Sequence, residues 1–152
     1  MTSESRVTSA GLYLDTSCLL KLLFREPESA RVAKLVEAEP RVVVSELCTL
    51  EASVQIQGRR LASLLDAASA KRLETALERL LASDPFELVP VAPESLSRAR
   101  AQTLRAKKGG HCRTLDRLHL GVMETEGLRR LLSNDDQQAA AARALGIDVL
   151  MP

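Results

Sequence analysis

Four acidic residues stand where a carboxylate side chain can do chemistry. Asp15 ends the short apolar run GLYLD, and Asp135 closely follows the run LRRLLS. Glu51 and Asp116 each lie beside leucines at helical spacing, in SELCTLEASV and RTLDRLHLGV. Carboxylates gathered in one pocket raise one another's pKa values unless a cation neutralises them. If the fold brings these four together, they predict an all-oxygen site for Mg²⁺ or Mn²⁺.

Each of these acids also has an ordinary structural interpretation. Asp15 and Asp135 precede helical segments, where Asp often caps the helix N-terminus, and Asp136 competes with Asp135 for that place. Asp116 lies near the start of a helix, where the helix dipole favours an acid. The sequence by itself therefore leaves capping and catalysis open for these residues.

Glu51 has a competitor, Glu46, five residues before it on the same predicted helix. Glu51 is preferred over Glu46 because it borders the apolar stripe of the helix near Leu47, although an amphipathic border position explains it as well. One turn after Asp116 comes His119, on the same side of its helix. We interpret His119 as a packing or hydrogen-bonding residue rather than a metal ligand.

Alternating strands and helices must position these acids. Short apolar runs predict five strands, at 11–15, 41–45, 86–91, 128–133 and 147–152. Between them lie a helical pair broken at Pro27, a helix capped by Ser45, and helical patterns at 66–83, from Pro93 to about Lys108, from Thr114, and in AAAARAL. This alternation is typical of an α/β fold with three layers, α/β/α, around a central, mainly parallel sheet. Ligands of such sheets bind outside the carboxyl ends of the strands, so acids that follow strands are the ones of interest.

Length, charge and cysteine content restrict the class of protein. The 152 residues, 45% hydrophobic and 27% charged, predict a short polar tail at 1–10 and a single domain at 11–152. A net charge of +1 argues against histone-like binding of nucleic acid. Three cysteines without a CxxC pair indicate neither a disulfide framework nor a zinc site. This cysteine content leads us to expect a reducing, cytoplasmic location, and the sequence shows no apolar leader and no apolar run near the ~18 residues that span a bilayer.

The order of the motifs resembles the PIN domain family, and more narrowly the VapC toxins of bacterial toxin–antitoxin pairs. The segments that carry the resemblance are strand-DTS, S-x5-E on a helix, TLDxxHL, and S-N-D at a strand end followed by an alanine-rich helix and GIDVL. They cover the chain from Leu12 to Leu150. Each motif is weak alone, and the specificity comes from their order and spacing.

This resemblance implies an Mg²⁺- or Mn²⁺-dependent endoribonuclease, the toxin of such a pair, in which a metal-activated water attacks the RNA phosphodiester. It implies an acidic quartet that serves as both metal ligands and catalytic residues, with hydroxyl groups beside the first and fourth acids: Asp15, Glu51, Asp116, Asp135, Ser17 and Ser133. Many relatives have a small residue where this chain has Arg117, which leads us to expect altered access to the site. The resemblance also implies an antitoxin partner, a homodimer, and tRNA or ribosomal RNA as substrate.

One stretch before Asp116 carries many basic residues and no acidic residue. Between Ser95 and Leu115 the basic residues are Arg98, Arg100, Arg105, Lys107, Lys108 and Arg113. We predict that they contact RNA phosphates, and a solvated helix face is the alternative. Aromatic residues make up only 2% of the chain, so base stacking cannot be the main means of recognition. We therefore expect RNA to be recognised by its shape and its phosphates.

Three other functions are alternatives to the ribonuclease prediction, and the leucines of 18–65 have two explanations. A receiver-like signalling domain would have paired acids after its first strand and a late lysine, yet Asp15 is alone and no lysine follows Lys108. A phosphatase of the haloacid dehalogenase type would have D-x-D there, where Ser17 takes the second position. A catalytically silent PIN-like module that binds RNA or protein is the third alternative. The leucines of 18–65 indicate either an exposed groove for a partner or dense core packing.

Overall fold

The computed structural model describes residues 11–152, so the tail predicted for residues 1–10 lies outside the described residues. Within the described range the strands are β1 (Leu12–Leu14), β2 (Val42–Ser45), β3 (Phe86–Val89), β4 (Arg130–Leu132) and β5 (Asp148–Leu150). The helices are α1 (Thr16–Leu23), α2 (Ser29–Glu37), α3 (Glu46–Leu61), α4 (Ala67–Leu81), α5 (Pro93–Arg105), α6 (Thr114–Thr125) and α7 (Asp136–Ala144).

The five strands form one parallel sheet in the order β3-β2-β1-β4-β5. The central strands β1 and β2 are fully buried, as expected of Val- and Leu-rich strands that are covered by helices on both faces. Contacts between helices form two groups, α1 to α4 and α5 to α7, as expected when right-handed crossovers place the first group on one face of the sheet and the second on the other. The predicted three-layer α/β/α fold is confirmed.

The strand order reverses direction between β1 and β4. From β1 the chain moves outward to β2 and β3, and then it crosses to β4 on the other side of β1. Such a reversal opens a crevice at the carboxyl ends of the two adjacent strands, where α/β sheets bind their ligands. Asp15 follows β1 and Ser133 follows β4, so both lie at this crevice.

Local chemistry explains where several elements end. The strand predicted for 86–91 stops at Val89 because Pro90 has no amide hydrogen to donate to a sheet. Helix α5 stops at Arg105, and the loop that follows turns at Gly109, whose φ of +88° suits glycine. None of the helices within residues 11–152 has the length and apolarity needed to cross a membrane.

Candidate active site

The four predicted acids line one cavity of about 280 Å³ at the carboxyl ends of β1 and β4. Their neighbours in the wall come from several elements: Thr16, Ser17, Leu20, Gln55, Arg113, His119 and Gln138. Residues up to 123 positions apart in the sequence, Asp15 and Gln138, therefore meet in one place. The rival acids differ, since Glu46 and Asp136 are exposed and do not line this cavity.

Asp15 is the most deeply buried of the four, with only 2% of its surface exposed. Its Oδ1 caps α1 by accepting from the Cys18 amide at 3.0 Å, and it also accepts from the Ser17 hydroxyl at 2.7 Å. Its Oδ2 accepts from the Ser133 hydroxyl, which joins the ends of β1 and β4. Burial raises the pKa of Asp15, and the hydrogen bonds from Ser133, Ser17 and Cys18 oppose this rise.

The segment after β4 is held by the same hydroxyl groups. Ser133 Oγ accepts from the Asp135 amide, and Ser17 Oγ accepts from the Asn134 amide, both at 3.0 Å. Asp135 caps α7 because its Oδ1 accepts from the Gln138 amide at 2.9 Å. Its Oδ2 accepts from Arg113 instead. Asp15 and Asp135 therefore act as helix caps and line the cavity at the same time.

Glu51 reaches the cavity from α3 and is fixed by two donors. Its Oε1 accepts from the Thr16 hydroxyl at 2.9 Å and lies 2.5 Å from Nε2 of His119. Burial would raise the pKa of Glu51, but the hydrogen bond and positive charge of His119, together with Thr16, lower it below its ordinary value. Glu51 is therefore a charged carboxylate that pairs with the positively charged imidazole of His119.

His119 is buried and carries that positive charge. The Tyr13 hydroxyl donates to Ser45 at 2.8 Å, so Nδ1 of His119, 2.7 Å away, donates to the Tyr13 oxygen, while Nε2 donates to Glu51. Burial lowers the pKa of His119, but its hydrogen bonds to Cys48 and Glu51 outweigh this and raise the pKa to about 10. The structure agrees with the hydrogen-bonding role that the sequence indicated.

Arg113 lies between the two remaining acids. Its Nε donates to Asp116 at 3.0 Å, and its Nη2 donates to Asp135 at 3.2 Å. The hydrogen bond to Asp116 and the charges of both acids raise the pKa of Arg113. Its side chain is 71% exposed, so water screens these contacts and the guanidinium can leave without disturbing the core. The carboxylates of Asp116 and Asp135 thus both contact one positive group, the Arg113 guanidinium.

The donor set fits a hard divalent cation. Within residues 11–152, no group of three His, Cys, Asp or Glu side chains is arranged to hold a metal ion by itself. Mg²⁺ does not require such a cage, because it often keeps several waters and binds through one or two carboxylates and a substrate phosphate. Asp116 and Asp135 can supply that pair once Arg113 moves away from them.

The basic residues before Asp116 do not gather at this cavity. Of the six, Arg113 alone is part of its wall. Arg98 pairs with Glu124 at 3.2 Å, while Arg105 and Lys107 line a separate cavity. The other two, Arg100 and Lys108, are exposed. Their contact with RNA stays a prediction, but they do not form one patch beside the acids.

The expectation for Arg117 was wrong. Its side chain does not line the acidic cavity but donates to the Gly110 carbonyl in the loop before α6. Successive residues of a helix point about 100° apart, so Arg117 turns away from the side that Asp116 faces. It therefore does not obstruct the acids.

Three polar contributors to the site were not identified from the sequence, and one of them, Gln55, lines the cavity from α3. Thr16 directly follows Asp15 and donates to Glu51, and Gln138 lines the cavity from the first turn of α7. Only the position of Thr16 in the DTS motif offered a signal. Gln138 lies three residues after Asp135, on the same side of its helix, where an isolated Gln has no distinguishing pattern.

Comparisons with known proteins connect this geometry to a family. Residues 12–144 match the family model described as the PIN domain. The chain is 32% identical to ribonuclease VapC46 of Mycobacterium tuberculosis, over 94% of this chain and 98% of that protein.

Two solved structures share its fold at low sequence identity. The sarcin-ricin loop cleaving toxin VapC20 of Mycobacterium tuberculosis superposes with a TM-score of 0.68 at 17% identity, over 86% of this chain and 94% of the other. A toxin–antitoxin complex from Klebsiella pneumoniae gives a TM-score of 0.61 at 16% identity, over 91% of this chain and 95% of the other. At such identities, these two likenesses establish the fold.

Proposed function

The chain belongs to the PIN domain family, and from this membership we propose that it is a divalent-metal-dependent endoribonuclease, the toxin of a toxin–antitoxin pair. The observation that carries the proposal is the convergence of Asp15, Glu51, Asp116 and Asp135 on one cavity. This cavity lies at the carboxyl ends of the paired strands β1 and β4, where the strand order reverses, which is the usual ligand site of an α/β sheet.

The four acids act as two pairs in this proposal. Asp116 and Asp135, which converge on one positive group, hold the metal, and Asp15 and Glu51 complete its surroundings directly or through water. Bound Mg²⁺ or Mn²⁺ supplies an activated water and neutralises charge on the phosphate oxygens. Ser17 and Ser133 fix the orientation of Asp15, as Thr16 and His119 fix that of Glu51. Arg113 transfers from the carboxylates to the phosphate of the substrate.

A groove between α1 and α4 offers a binding surface for an antitoxin partner. The cavity there measures about 950 Å³, and Leu22, Leu23 and Leu80 line it together with Lys71 and Arg72. An apolar floor with basic residues fits a protein segment that carries apolar and acidic side chains. We propose that the antitoxin covers this groove.

The remaining features of the proposal follow the family resemblance. We propose a single PIN domain over residues 11–152, a homodimer, and tRNA or ribosomal RNA as substrate. Cys18, Cys48 and Cys112 are buried and free, which supports a reducing, cytoplasmic location.

A catalytically silent module that binds RNA or protein is the second candidate. The ion pairs of Arg113 with Asp116 and Asp135 favour it, because a guanidinium that stayed there would compete with a metal for both acids.

Cleavage of purified RNA tests the proposal. The full chain, freed of any bound antitoxin, is incubated with total tRNA and ribosomal RNA in Mg²⁺, Mn²⁺ or EDTA. We expect cleavage with either metal and none with EDTA. Asp116→Asn and Glu51→Gln should each lower the rate by roughly 100-fold or more, because groups that act together on one reacting centre are individually indispensable.

Matched controls come from the rival acids. Asp136→Asn and Glu46→Gln change exposed acids outside the cavity and should leave the rate within about twofold of the wild type, as expected of surface substitutions. Cleavage that persists in EDTA or in Asp116→Asn would refute the metal mechanism. A folded wild-type protein that binds RNA but cleaves none would establish the silent module instead.

A further inference from the structure

Arg117 is a buried cation without a carboxylate partner. Only 6% of its surface is exposed, and its one hydrogen bond to a described residue goes to the Gly110 carbonyl. Among residues 11–152, no Asp or Glu oxygen lies within salt-bridge distance of its guanidinium. A guanidinium has five donors, so most of its hydrogen-bonding capacity is not used by these residues.

The cavity beside Arg117 is lined by further positive groups. It measures about 220 Å³ and lies between α5, the loop before α6, and α7. Arg105 and Lys107 line it together with Arg117, and the rest of the wall is formed by Gly110, Gln102 and small or apolar residues of 106–145. No acidic side chain belongs to the wall among the residues that the structure describes.

A buried positive charge is costly unless an anion accompanies it. Taking a guanidinium out of water carries a large desolvation penalty, which a paired and hydrogen-bonded anion offsets. Arginine suits phosphate in particular, because its planar fork can donate two parallel hydrogen bonds to two oxygens. Three cationic residues around a small cavity therefore fit a phosphate group.

The basic cavity adjoins the acidic one through two helices. Asp116 and Arg117 are consecutive on α6, one lining each cavity, and on α7 Gln138 lines the acidic cavity while Ala141 lines the basic one. A residue three positions further along a helix lies less than one turn away. The two cavities therefore have α6 and α7 in common as walls.

We infer that this basic cavity, formed by Arg105, Lys107 and Arg117, binds a non-scissile phosphate of the RNA strand. The assignment rests on the proposed ribonuclease function and adds a second contact that sets the position of the strand relative to the acids. Arg117 is thus a substrate-binding residue, and it takes no part in the reaction itself.

Inorganic phosphate tests the anion site separately from RNA. The thermal midpoint of the full chain is measured with increasing phosphate at constant ionic strength, for the wild type, Arg117→Gln and Arg31→Gln. Arg31 is an exposed arginine of α2 and serves as the matched control. A ligand that binds only the folded state raises the midpoint, so phosphate should stabilise the wild type and Arg31→Gln more than Arg117→Gln. The general salting effect of phosphate is common to all three proteins.

The RNA assignment is tested by binding of labelled tRNA in EDTA, where cleavage cannot interfere. Arg117→Gln should weaken binding about tenfold, the effect of losing one charge-assisted contact. It should also reduce the slope of log K against log salt by roughly 0.7 to 0.9, the value for one phosphate contact. Arg31→Gln should change neither quantity. If Arg117→Gln does not fold, Lys107→Gln at an exposed position should give the same two changes in smaller size.

The outcomes separate this inference from the proposed function. Equal stabilisation of the wild type and Arg117→Gln by phosphate overturns the anion site. Phosphate stabilisation that depends on Arg117, with unchanged tRNA affinity and salt slope, overturns the RNA assignment and indicates a free phosphate compound. If both measurements succeed but Mg²⁺ produces no cleavage, the phosphate contact stands and the ribonuclease proposal fails.

Discussion

Two positive groups balance three of the four carboxylates in the acidic cavity. Arg113 contacts Asp116 and Asp135, and protonated His119 contacts Glu51. Asp15 forms no ion pair within residues 11–152; it accepts hydrogen bonds from neutral donors, and burial raises its pKa although the more distant charge of His119 opposes this. Asp15 is therefore the acid whose charge is least compensated by the protein, and a divalent cation in the cavity would relieve it most.

His119 should make the stability of the fold depend on pH. Its pKa is about 10 in the folded protein against an ordinary value of 6.5, so its protonation contributes stability that is complete below pH 6.5 and is lost as the pH rises through 10. Glu51 has a lowered pKa, so its contribution is present above its ordinary value of 4.5 and is lost as the pH falls through the lowered one. The charged pair therefore stabilises the fold fully between these two ordinary values.

The variant His119→Gln isolates this effect, because glutamine can still donate to Glu51. The other titratable groups facing His119 are Tyr13, Cys48 and Asp15, and they are the same in both proteins. From pH 6.5 to 10, in EDTA, the thermal midpoint of the wild type should fall more steeply than that of His119→Gln. Parallel curves would mean that His119 is neutral in the folded protein.

Several residues of the site could be predicted from the sequence, although their dual use could not. Asp15 and Asp135 were open to interpretation as caps or as site residues, and in the structure they cap helices with one oxygen while lining the cavity. A pattern of single residues cannot separate the two roles because a carboxylate has two oxygens. The contact of His119 with Glu51 joins positions 68 apart, and no local pattern encodes it.

At the level of elements, hydrophobic periodicity predicted all five strands and the helices between them to within a few residues at each end. The alternation of these elements also predicted the parallel sheet. The distribution of the basic residues could not be predicted. They follow one another in sequence, but α5 and its loop turn them in different directions, so Arg113 faces the acids while Arg105 and Lys107 face α7.

The α5–α6 pair shows a constraint that the sequence did not reveal. A Cβ atom added at Gly121 would lie 2.3 Å from the Ser95 carbonyl oxygen and 2.9 Å from the Ala99 Cβ. The oxygen belongs to the backbone and cannot swing aside, so the two helices can approach this closely only with glycine at this position. Helix α6 carries Asp116 and His119, so this packing also fixes the position of both residues in the site.

Gly121→Ala should therefore destabilise the fold by roughly 1–3 kcal/mol, as overpacking typically does. Gly58→Ala is the matched control, since Gly58 lies on α3 with no atom within 4 Å of an added Cβ. There alanine should stabilise by about 0.5–1 kcal/mol because it is the better helix former. Urea unfolding of the three proteins measures both changes, and equal effects of the two substitutions would contradict the close packing of α5 and α6.

For the molecule as a whole, exposed apolar side chains of α3 and β3 support the proposed homodimer. Leu50 and Val54 lie one turn apart on α3 and are 63% and 60% exposed. Leu88, on the edge strand β3, is 45% exposed and lines a cavity with the α3 residues Thr49 and Ser53. Exposed apolar side chains one turn apart on a helix offer a contact surface, and an edge strand left open invites pairing with another chain.

A second copy of the chain is the occupant we propose for this surface, and charge inserted there should separate the copies. The wild type should have the mass of a dimer by size-exclusion chromatography with light scattering, and Leu50→Glu combined with Val54→Glu should have that of a monomer. Both side chains are exposed, so their replacement should leave the circular dichroism spectrum unchanged. Leu104→Glu, at a leucine of α5 that is 69% exposed, is the control and should remain dimeric. A monomeric wild type excludes the homodimer, and a dimer that survives the double substitution moves its interface away from α3.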